Sequence, residues 1–354
     1  TLLYAFITKR KIPAYLGSSF AFISPVLLLY SQGYDFQTIQ GGFVITGIVF
    51  SLIAVIVGYT GIGWINKLFP PAAMGSIITI IGLELASSAA DMAGFPVGGS
   101  NSPTMNITWV IVSMVTLVTV ILCNVLLRGF LKVIPLLIGV IVGYITSCFM
   151  GLVDFSTVSN ASFFVLPNIK VAHFNINAIL TILPATFVVV AEHVGHLKVT
   201  SSIVGKDFMK DPGLHKSLLG DGLSTIISGM FGSVPTTTYG ENIGVMALTK
   251  VYSVYVICGA GLISVILGFS GKMSALITTI PTPVIGGVSF LLFGTIAVSG
   301  LRTFIEEKVD FAKSRNLILA SVIFIVGLSG IKLTIGAFEI KGMGLATLVA
   351  IVLS

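Results

Sequence analysis

Ionisable residues are rare inside the apolar stretches of this sequence, and those present there are Glu84, Glu192, His193, His196, Asp221 and Glu241. Each is costly to bury in an apolar medium, so each is a candidate for function. Glu84 and Asp221 lie near the ends of their stretches, where a structural hydrogen bond or a solvated helix end also explains them. His193 would face about 100° away from Glu192 on a helix. We therefore interpret His193 as a packing residue.

Glu192 and His196 form the pair best placed for proton chemistry. They are four residues apart, which puts them on one helix face within reach of each other. Such a pair can exchange protons, or it can merely neutralise itself. A zinc site is a further alternative. The order Glu192-His193-x-x-His196 differs from His-Glu-x-x-His, however, and no third ligand is evident, so the sequence predicts no metal.

Two broken segments could place these side chains opposite polar backbone. In Thr236–Gly244 (TTTYGENIG), three Thr favour extended backbone, and Gly240 permits a tight join to a half-helix that begins near Glu241. The segment Pro13–Phe22, followed by Pro25, has the same character. Two ordinary Gly/Ser kinks are the simpler alternative. Otherwise we expect two short strands that meet antiparallel at the membrane midplane, each leading into a half-helix.

Composition identifies the elements that must hold these segments. The chain has 354 residues, of which 55% are hydrophobic and 9% charged, with a mean hydropathy of +1.06. So few charges cannot cover a soluble surface of this size. Apolar stretches of about membrane-spanning length recur along the chain, so it is predicted to be an all-α polytopic membrane protein. The mixed-charge segment 301–316 is expected to be an amphipathic surface helix.

Charge asymmetry predicts the orientation of the spans. If the loops alternate sides, fifteen Lys and Arg residues fall on one side and four on the other, which assigns the first side to the cytoplasm. The net charge of +6 is scattered among short loops and does not indicate a nucleic-acid partner. Cys123, Cys148 and Cys258 lie within apolar runs and are interpreted as packing residues.

A weak internal repeat predicts inverted symmetry. Residues 57–61 (VGYTG) resemble 267–271 (LGFSG) at an offset of 210, and Pro70 with Gly75 matches Pro281 with Gly286 at an offset of 211. Seven spans separate the copies on our map, so the second copy is upside down in the bilayer. Inverted repeats with broken helices near midplane are typical of secondary transporters.

Several motifs resemble those of one transporter family. Residues 241–250 (ENIGVMALTK) resemble the signature of the nucleobase–ascorbate transporters, also called nucleobase:cation symporter-2. Residues 191–196 (AEHVGH) are similar to the eighth-span motif of its bacterial uracil permease branch. Two further segments, 69–75 (FPPAAMG) and 15–25, also resemble sequences of that branch. The resemblance implies an inverted 7+7 repeat with core and gate domains. It also implies a fragment that lacks the first span and most of the second.

The resemblance further implies domains and site residues. The core would comprise residues 1–60 and 178–271, and the gate 61–153 and 277–354. Substrate would be bound by Glu192 and Glu241 with backbone around Phe20 and Gly240, next to Ser19 and Tyr239, and His196 would act with the two Glu in proton coupling.

The expected function is proton-coupled uracil uptake across the bacterial inner membrane, without covalent chemistry or a cofactor other than protons. The expected partners are uracil or a related nucleobase, the lipid bilayer and, through the gate domain, a second copy of the chain. A xanthine or purine permease of the same family is the alternative. Less favoured are an anion exchanger, which would want a basic residue near midplane, and an intramembrane enzyme using Glu192 and His196.

Overall fold

The computed structural model describes residues 1–61, 63–98, 104–167, 169–335 and 338–354. Its first half contains α1 (Leu2–Ile7), β1 (Leu16–Ser18), a 3-10 turn (Phe20–Phe22), α2 (Ile23–Ser31), α3 (Phe36–Thr60), α4 (Gly63–Leu68), α5 (Pro71–Glu84), α6 (Ala86–Met92), α7 (Ile107–Leu126), a 3-10 turn (Gly129–Val133), α8 (Pro135–Phe149) and α9 (Ser156–Asn160).

The second half repeats the pattern of a strand followed by a short helix. It contains α10 (Ile176–Val204), a turn (Met209–Gly213), α11 (Leu214–Met230), β2 (Thr236–Thr238), α12 (Gly240–Thr249), α13 (Val254–Gly268), α14 (Gly271–Thr278), α15 (Thr282–Glu306), α16 (Ser314–Leu328), β3 (Lys332–Ile335), β4 (Phe338–Lys341) and α17 (Gly342–Leu353). The five helical segments long and apolar enough to cross a membrane in the described part are Phe36–Thr60, Pro71–Met92, Ile107–Leu126, Ile176–Val204 and Thr282–Glu306.

Polar residues define where several long helices begin. Asp35 accepts a hydrogen bond from the backbone N–H of Thr38 at the start of α3, and Asn175 accepts one from the N–H of Asn177 at the start of α10. Each satisfies a backbone donor that lacks a partner within its helix. The first turns of α3 and α10 are thus fixed by polar N-cap residues that precede their apolar stretches.

Two sequence expectations fail at the carboxyl-terminal end. The segment 301–316 is not a separate surface helix, because α15 continues through Glu306 and α16 begins at Ser314. The apolar stretch at 317–335, one of those that the sequence predicts to be of spanning length, is also not helical throughout. Its helix ends at Leu328, and the residues beyond it form the antiparallel hairpin β3–β4. In both places apolar residues interleaved with polar ones suited more than one backbone conformation.

The chain divides into two compact units. The first comprises Thr1–Ile81, Asn168–Ile263 and Ser299–Ser354, and the second Gly82–Pro167 and Ser264–Val298. The assignment of core and gate domains stays a prediction.

Close backbone packing builds the centre of the first unit. Helices α3 and α11 pack along their length, and a Cβ on Gly47 would lie 2.8 Å from the carbonyl oxygen of Gly222. A Cβ on Gly222 would in turn lie 2.5 Å from Ser51 Oγ. Small residues at such a contact let apolar helices approach closely enough for extensive van der Waals packing. Helix α10 packs against α3 and carries Glu192 and His196 on this scaffold.

Candidate functional site

The two broken segments meet as a two-stranded antiparallel ladder. Leu16 pairs with Thr238, Gly17 with Thr237 and Ser18 with Thr236. The ladder continues at both ends: Ser19 N–H donates to the Pro235 carbonyl at 3.1 Å, and Tyr239 N–H donates to the Tyr15 carbonyl at 3.0 Å. Each strand thereby satisfies the backbone groups of the other, which extended backbone within a bilayer requires. The predicted strands and their antiparallel meeting are confirmed.

A helix begins immediately after each strand. Ser19 is extended and precedes the 3-10 turn that leads into α2, and Tyr239 is extended and precedes α12. The first N–H groups of α12 lack partners within the helix, and the helix dipole adds partial positive charge there. Glu241 lies in this first turn and is exposed. The start of α12 thus presents backbone donors and a carboxylate acceptor together.

Glu192 and His196 face this helix start from α10. Glu192 Oε1 lies 3.9 Å from His196 Nε2, and the two side chains are 27% and 22% exposed. His196 Nδ1 forms a hydrogen bond of 3.1 Å with Thr238 Oγ1 at the end of β2. A Cβ on Gly240 would lie only 2.9 Å from His196 Nε2. The imidazole therefore connects Glu192 with the junction of β2 and α12.

Tyr239 packs over the partner strand. Its hydroxyl forms a hydrogen bond of 3.1 Å with Ser18 Oγ, and its ring lies 6.2 Å from that of Tyr15. A Cβ on Gly17 would overlap the Tyr239 ring, so only glycine fits at this position without a shift. This gives Gly17 a packing role at the crossing.

Ser19 and Phe20 complete the set of predicted binding residues. Phe20 is half-buried at the start of its 3-10 turn. Ser19 is 5% exposed, and its Oγ has no hydrogen-bond partner among the residues that the structure describes. A buried hydroxyl is normally paired. The Ser19 hydroxyl is thus available to a bound molecule at the junction of β1 and the helical turn.

A buried polar network supports β2 from behind. His193 Nδ1 lies 3.0 Å from Asp221 Oδ2, and both side chains are fully buried. The Thr236 hydroxyl donates to Asp221 Oδ1 at 2.8 Å. On its other side, His193 Nε2 lies 2.7 Å from Ser217 Oγ, which is 2.6 Å from the Tyr4 hydroxyl. The network joins α1, α10 and α11 to β2.

Sequence reasoning missed this network. It interpreted His193 as a packing residue and allowed Asp221 either a structural hydrogen bond or a solvated helix end. The structure shows the former, because Asp221 is fully buried and holds both His193 and Thr236. His193 and Thr236 lie 28 and 15 residues from Asp221 in sequence, so no helical or strand periodicity indicates that they are its partners. The one available signal was an acid within an apolar helix, which rarely persists without a partner.

Truncation of Asp221 should test this support. We expect Asp221→Ala to destabilise the purified protein by about 3–5 kcal/mol, because it leaves His193 and the Thr236 hydroxyl without their buried partner. Asp221→Asn keeps an acceptor for Thr236 and should cost clearly less. Denaturation in detergent, followed by tryptophan fluorescence, measures both. Asp310→Ala, at an exposed loop carboxylate, is the control. Equal stability of Asp221→Ala and the control would contradict a structural role.

The arrangement suits binding and proton exchange rather than covalent chemistry. It offers carboxylates, one imidazole and backbone donors, all within the first unit. Among the described residues, no three His, Cys, Asp or Glu side chains come together as metal ligands do. Polar groups gathered where two broken helices meet within an apolar helical bundle define a membrane transporter of the inverted-repeat type.

Solved transporters share this fold. The structure of SLC26A9 matches 99% of this chain with a TM-score of 0.62 at 12% sequence identity, and the chain covers 61% of that protein. The transmembrane domain of BicA, a cyanobacterial bicarbonate transporter, also matches with a TM-score of 0.62, at 13% identity and with 88% of that domain covered. These likenesses confirm the predicted inverted 7+7 architecture.

Sequence comparison identifies the family. The Permease family (Xan_ur_permease) matches residues 1–336, and the chain belongs to it. The chain is 58% identical over 355 residues to the uracil permease of Escherichia coli (strain K12), and it covers 82% of that protein. It is 54% identical to the uracil permease of Paenibacillus larvae and 45% identical to that of Bacillus subtilis (strain 168), with 84% and 83% of those proteins covered. It is a multi-pass membrane permease and not an enzyme.

Proposed function

We propose that this permease carries uracil across the bacterial inner membrane together with protons. The observation that carries the proposal is the placement of Glu192 and His196 on α10 beside the start of α12, which bears Glu241. The relatives' names supply the substrate, and the polar groups of the site suit it. The excess of basic residues on one side of the predicted spans supports the inner-membrane location.

Uracil and the site are complementary in their hydrogen-bonding groups. The flat ring of uracil carries two N–H donors and two carbonyl acceptors. The carboxylates of Glu241 and Glu192 accept hydrogen bonds, and the N–H groups at the start of α12 and the Ser19 hydroxyl can donate them. Hydrogen bonds to a carboxylate are roughly twice as strong as neutral ones. Glu241 and Glu192 are thus the expected main anchors of the substrate.

Proton coupling follows from the neutrality of the substrate. A neutral solute gains no energy from the membrane potential, so its accumulation needs a coupled ion. Glu192 and His196, 3.9 Å apart and mostly shielded from solvent, form a pair that can hold or pass one proton. Since His196 is tied to Thr238 at the end of β2, a change in its protonation acts directly on the strand that leads into α12.

The experiment is uptake of radiolabelled uracil into proteoliposomes, with and without an imposed pH gradient. We expect accumulation only when the outside is acidic. His196→Ala should retain substantial uracil binding while its uptake becomes less dependent on the gradient, because the partner of His196 is Glu192 rather than the substrate. His215→Ala, at an exposed imidazole beside Gly213, is the matched control.

Three outcomes would count against the proposal. Gradient-independent uptake by the unaltered protein would exclude proton coupling. Competition by xanthine as strong as that by unlabelled uracil would favour the purine alternative. Loss of binding by His196→Ala as complete as in a Glu241 variant would make His196 a direct ligand or a folding residue.

A further inference from the structure

A polar cavity in the first unit shares no lining residue with the candidate site formed by β1, β2, the start of α12, Glu192 and His196. Its volume is about 600 Å³. We call it the basic cavity, and the residues of its wall that matter here are Arg10, Lys11, Lys206, Asp207, Asp211 and Tyr255. They come from the segment after α1, the turn between α10 and α11, and the start of α13. Nothing in the proposed transport of uracil uses this cavity.

The cavity carries an excess of positive charge. Lys9, Lys210 and Lys216 adjoin the lining residues, so six cationic side chains surround two carboxylates, a formal charge of +4. Lys11 Nζ donates to Asp211 Oδ1 at 2.6 Å, and Lys210 Nζ lies 3.7 Å from Asp207 Oδ2. The remaining four, Lys9, Arg10, Lys206 and Lys216, lie more than 4.0 Å from every carboxylate in the part of the chain that the structure describes.

The cations converge rather than spread apart. The charges of Lys9 and Lys11 both act on Lys216, so cations from the segment after α1 and from the start of α11 lie near one another, an arrangement that like charges disfavour. The hydrogen bond from Lys11 and the nearby charges of Lys9 and Lys216 hold the pKa of the Asp211 carboxyl below its ordinary value. Lys9 and Arg10 also have left-handed backbone, with φ of 54° and 56°, which side chains with a Cβ rarely adopt. Unfavourable geometry of this kind concentrates at binding sites.

An apolar surface continues from the cavity. Tyr255, which lines the cavity, and Val256 at the start of α13 are 72% and 56% exposed. Exposed aliphatic and aromatic side chains on a membrane helix suit acyl chains. A free phosphate would contact only the cationic side chains of the cavity. A phospholipid would contact these with its headgroup and the exposed apolar side chains with its acyl chains.

We propose that the basic cavity binds the phosphate headgroup of an acidic phospholipid, whose acyl chains lie along the exposed side chains at the start of α13. Arg10, Lys206 and Lys216, which have no carboxylate partner among the described residues, would bind the negatively charged phosphate. Tyr255 would lie at the boundary between the headgroup and the acyl chains of the lipid. Basic pockets among membrane helices on the cytoplasmic side are suited to such headgroups, and the charge asymmetry of the loops predicts that side for this cavity.

Native mass spectrometry of the delipidated, purified protein tests the proposal, with dioleoyl phosphatidylglycerol and dioleoyl phosphatidylcholine as probes. The test variant combines Arg10→Gln, Lys206→Gln and Lys216→Gln. The matched control combines Lys67→Gln, Lys132→Gln and Lys308→Gln, which remove equal charge from exposed positions outside the cavity. We expect the test variant to bind phosphatidylglycerol roughly 100-fold more weakly at low ionic strength, and the control to bind it like the unaltered protein.

Several results would overturn the proposal. Phosphatidylcholine bound as tightly as phosphatidylglycerol would exclude headgroup charge as the determinant. Inorganic phosphate that displaces the lipid at a similar concentration would identify a free-anion site. An equal loss of phosphatidylglycerol affinity in both triple variants would mean that the lipid is attracted by the overall positive charge of the protein and not by the cavity. Should the test variant unfold, Arg10→Gln alone, at an exposed side chain, should still lose roughly fivefold, and an unchanged affinity would reject the site.

Discussion

Replacement of Glu241 by Gln is expected to weaken uracil binding by about 30- to 1000-fold. Glu241 lies in the first turn of α12, among backbone N–H groups that can only donate. It is therefore the local acceptor for a ring N–H of the substrate. The amide of Gln replaces one carboxylate oxygen with a donor, so a charge-assisted hydrogen bond worth roughly 2–4 kcal/mol is lost. That free energy corresponds to the stated range in affinity.

Equilibrium binding of radiolabelled uracil to purified protein measures the effect. Glu307→Gln makes the same chemical change at a half-exposed carboxylate paired with Lys198, and it should leave affinity unchanged. Glu192→Ala should be about as severe as Glu241→Gln, since Glu192 is the second carboxylate of the site. Wild-type affinity in Glu241→Gln would falsify the assignment of Glu241 as a substrate ligand.

A single methyl group at Gly240 is expected to reduce uracil binding by about 10- to 100-fold. The new Cβ would lie 2.9 Å from His196 Nε2 and 3.5 Å from its Cε1, so the imidazole must move. The new methyl group and the displaced imidazole then both crowd the start of α12, where we propose that the substrate binds, whereas removal of the imidazole would leave that space open. Forcing an extra carbon into a tight site typically costs about 1–3 kcal/mol. Gly240→Val should be worse, because a β-branched side chain adds bulk next to the ligand.

Gly244→Ala provides the control within the same helix. Gly244 lies one turn further along α12, and nothing lies within 4 Å of its would-be Cβ. Replacing Gly by Ala favours a helix by about 1 kcal/mol in its interior, as at Gly244, and by less at its first residue, as at Gly240, so neither substitution is expected to weaken the helix itself. We expect Gly244→Ala to bind uracil within about twofold of the unaltered protein. Equal affinity of the Gly240 and Gly244 variants would contradict the placement of His196 against the start of α12.

Much of this architecture was predictable from local sequence. The chain has too few charged residues to cover the surface of a soluble protein, and its apolar stretches recur at the length that spans a bilayer. These two features together indicate a membrane protein. The three Thr before Gly240 indicated a strand that leads into a half-helix, and the spacing of Glu192 and His196 placed them on one helix face. These inferences succeeded because each depends on residues a few positions apart, where backbone preferences and helical periodicity apply.

Only the tertiary structure decided which distant groups meet. Ser18 and Tyr239 are 221 residues apart, Tyr4 and Ser217 are 213 apart, and Lys11 and Asp211 are 200 apart. The strand register, the support of β2 by Asp221 and the basic cavity all depend on such pairs. No spacing rule reaches that far, because a contact between remote segments is set by how whole helices pack, and the close approach of α3 and α11 at Gly47 and Gly222 is part of that packing.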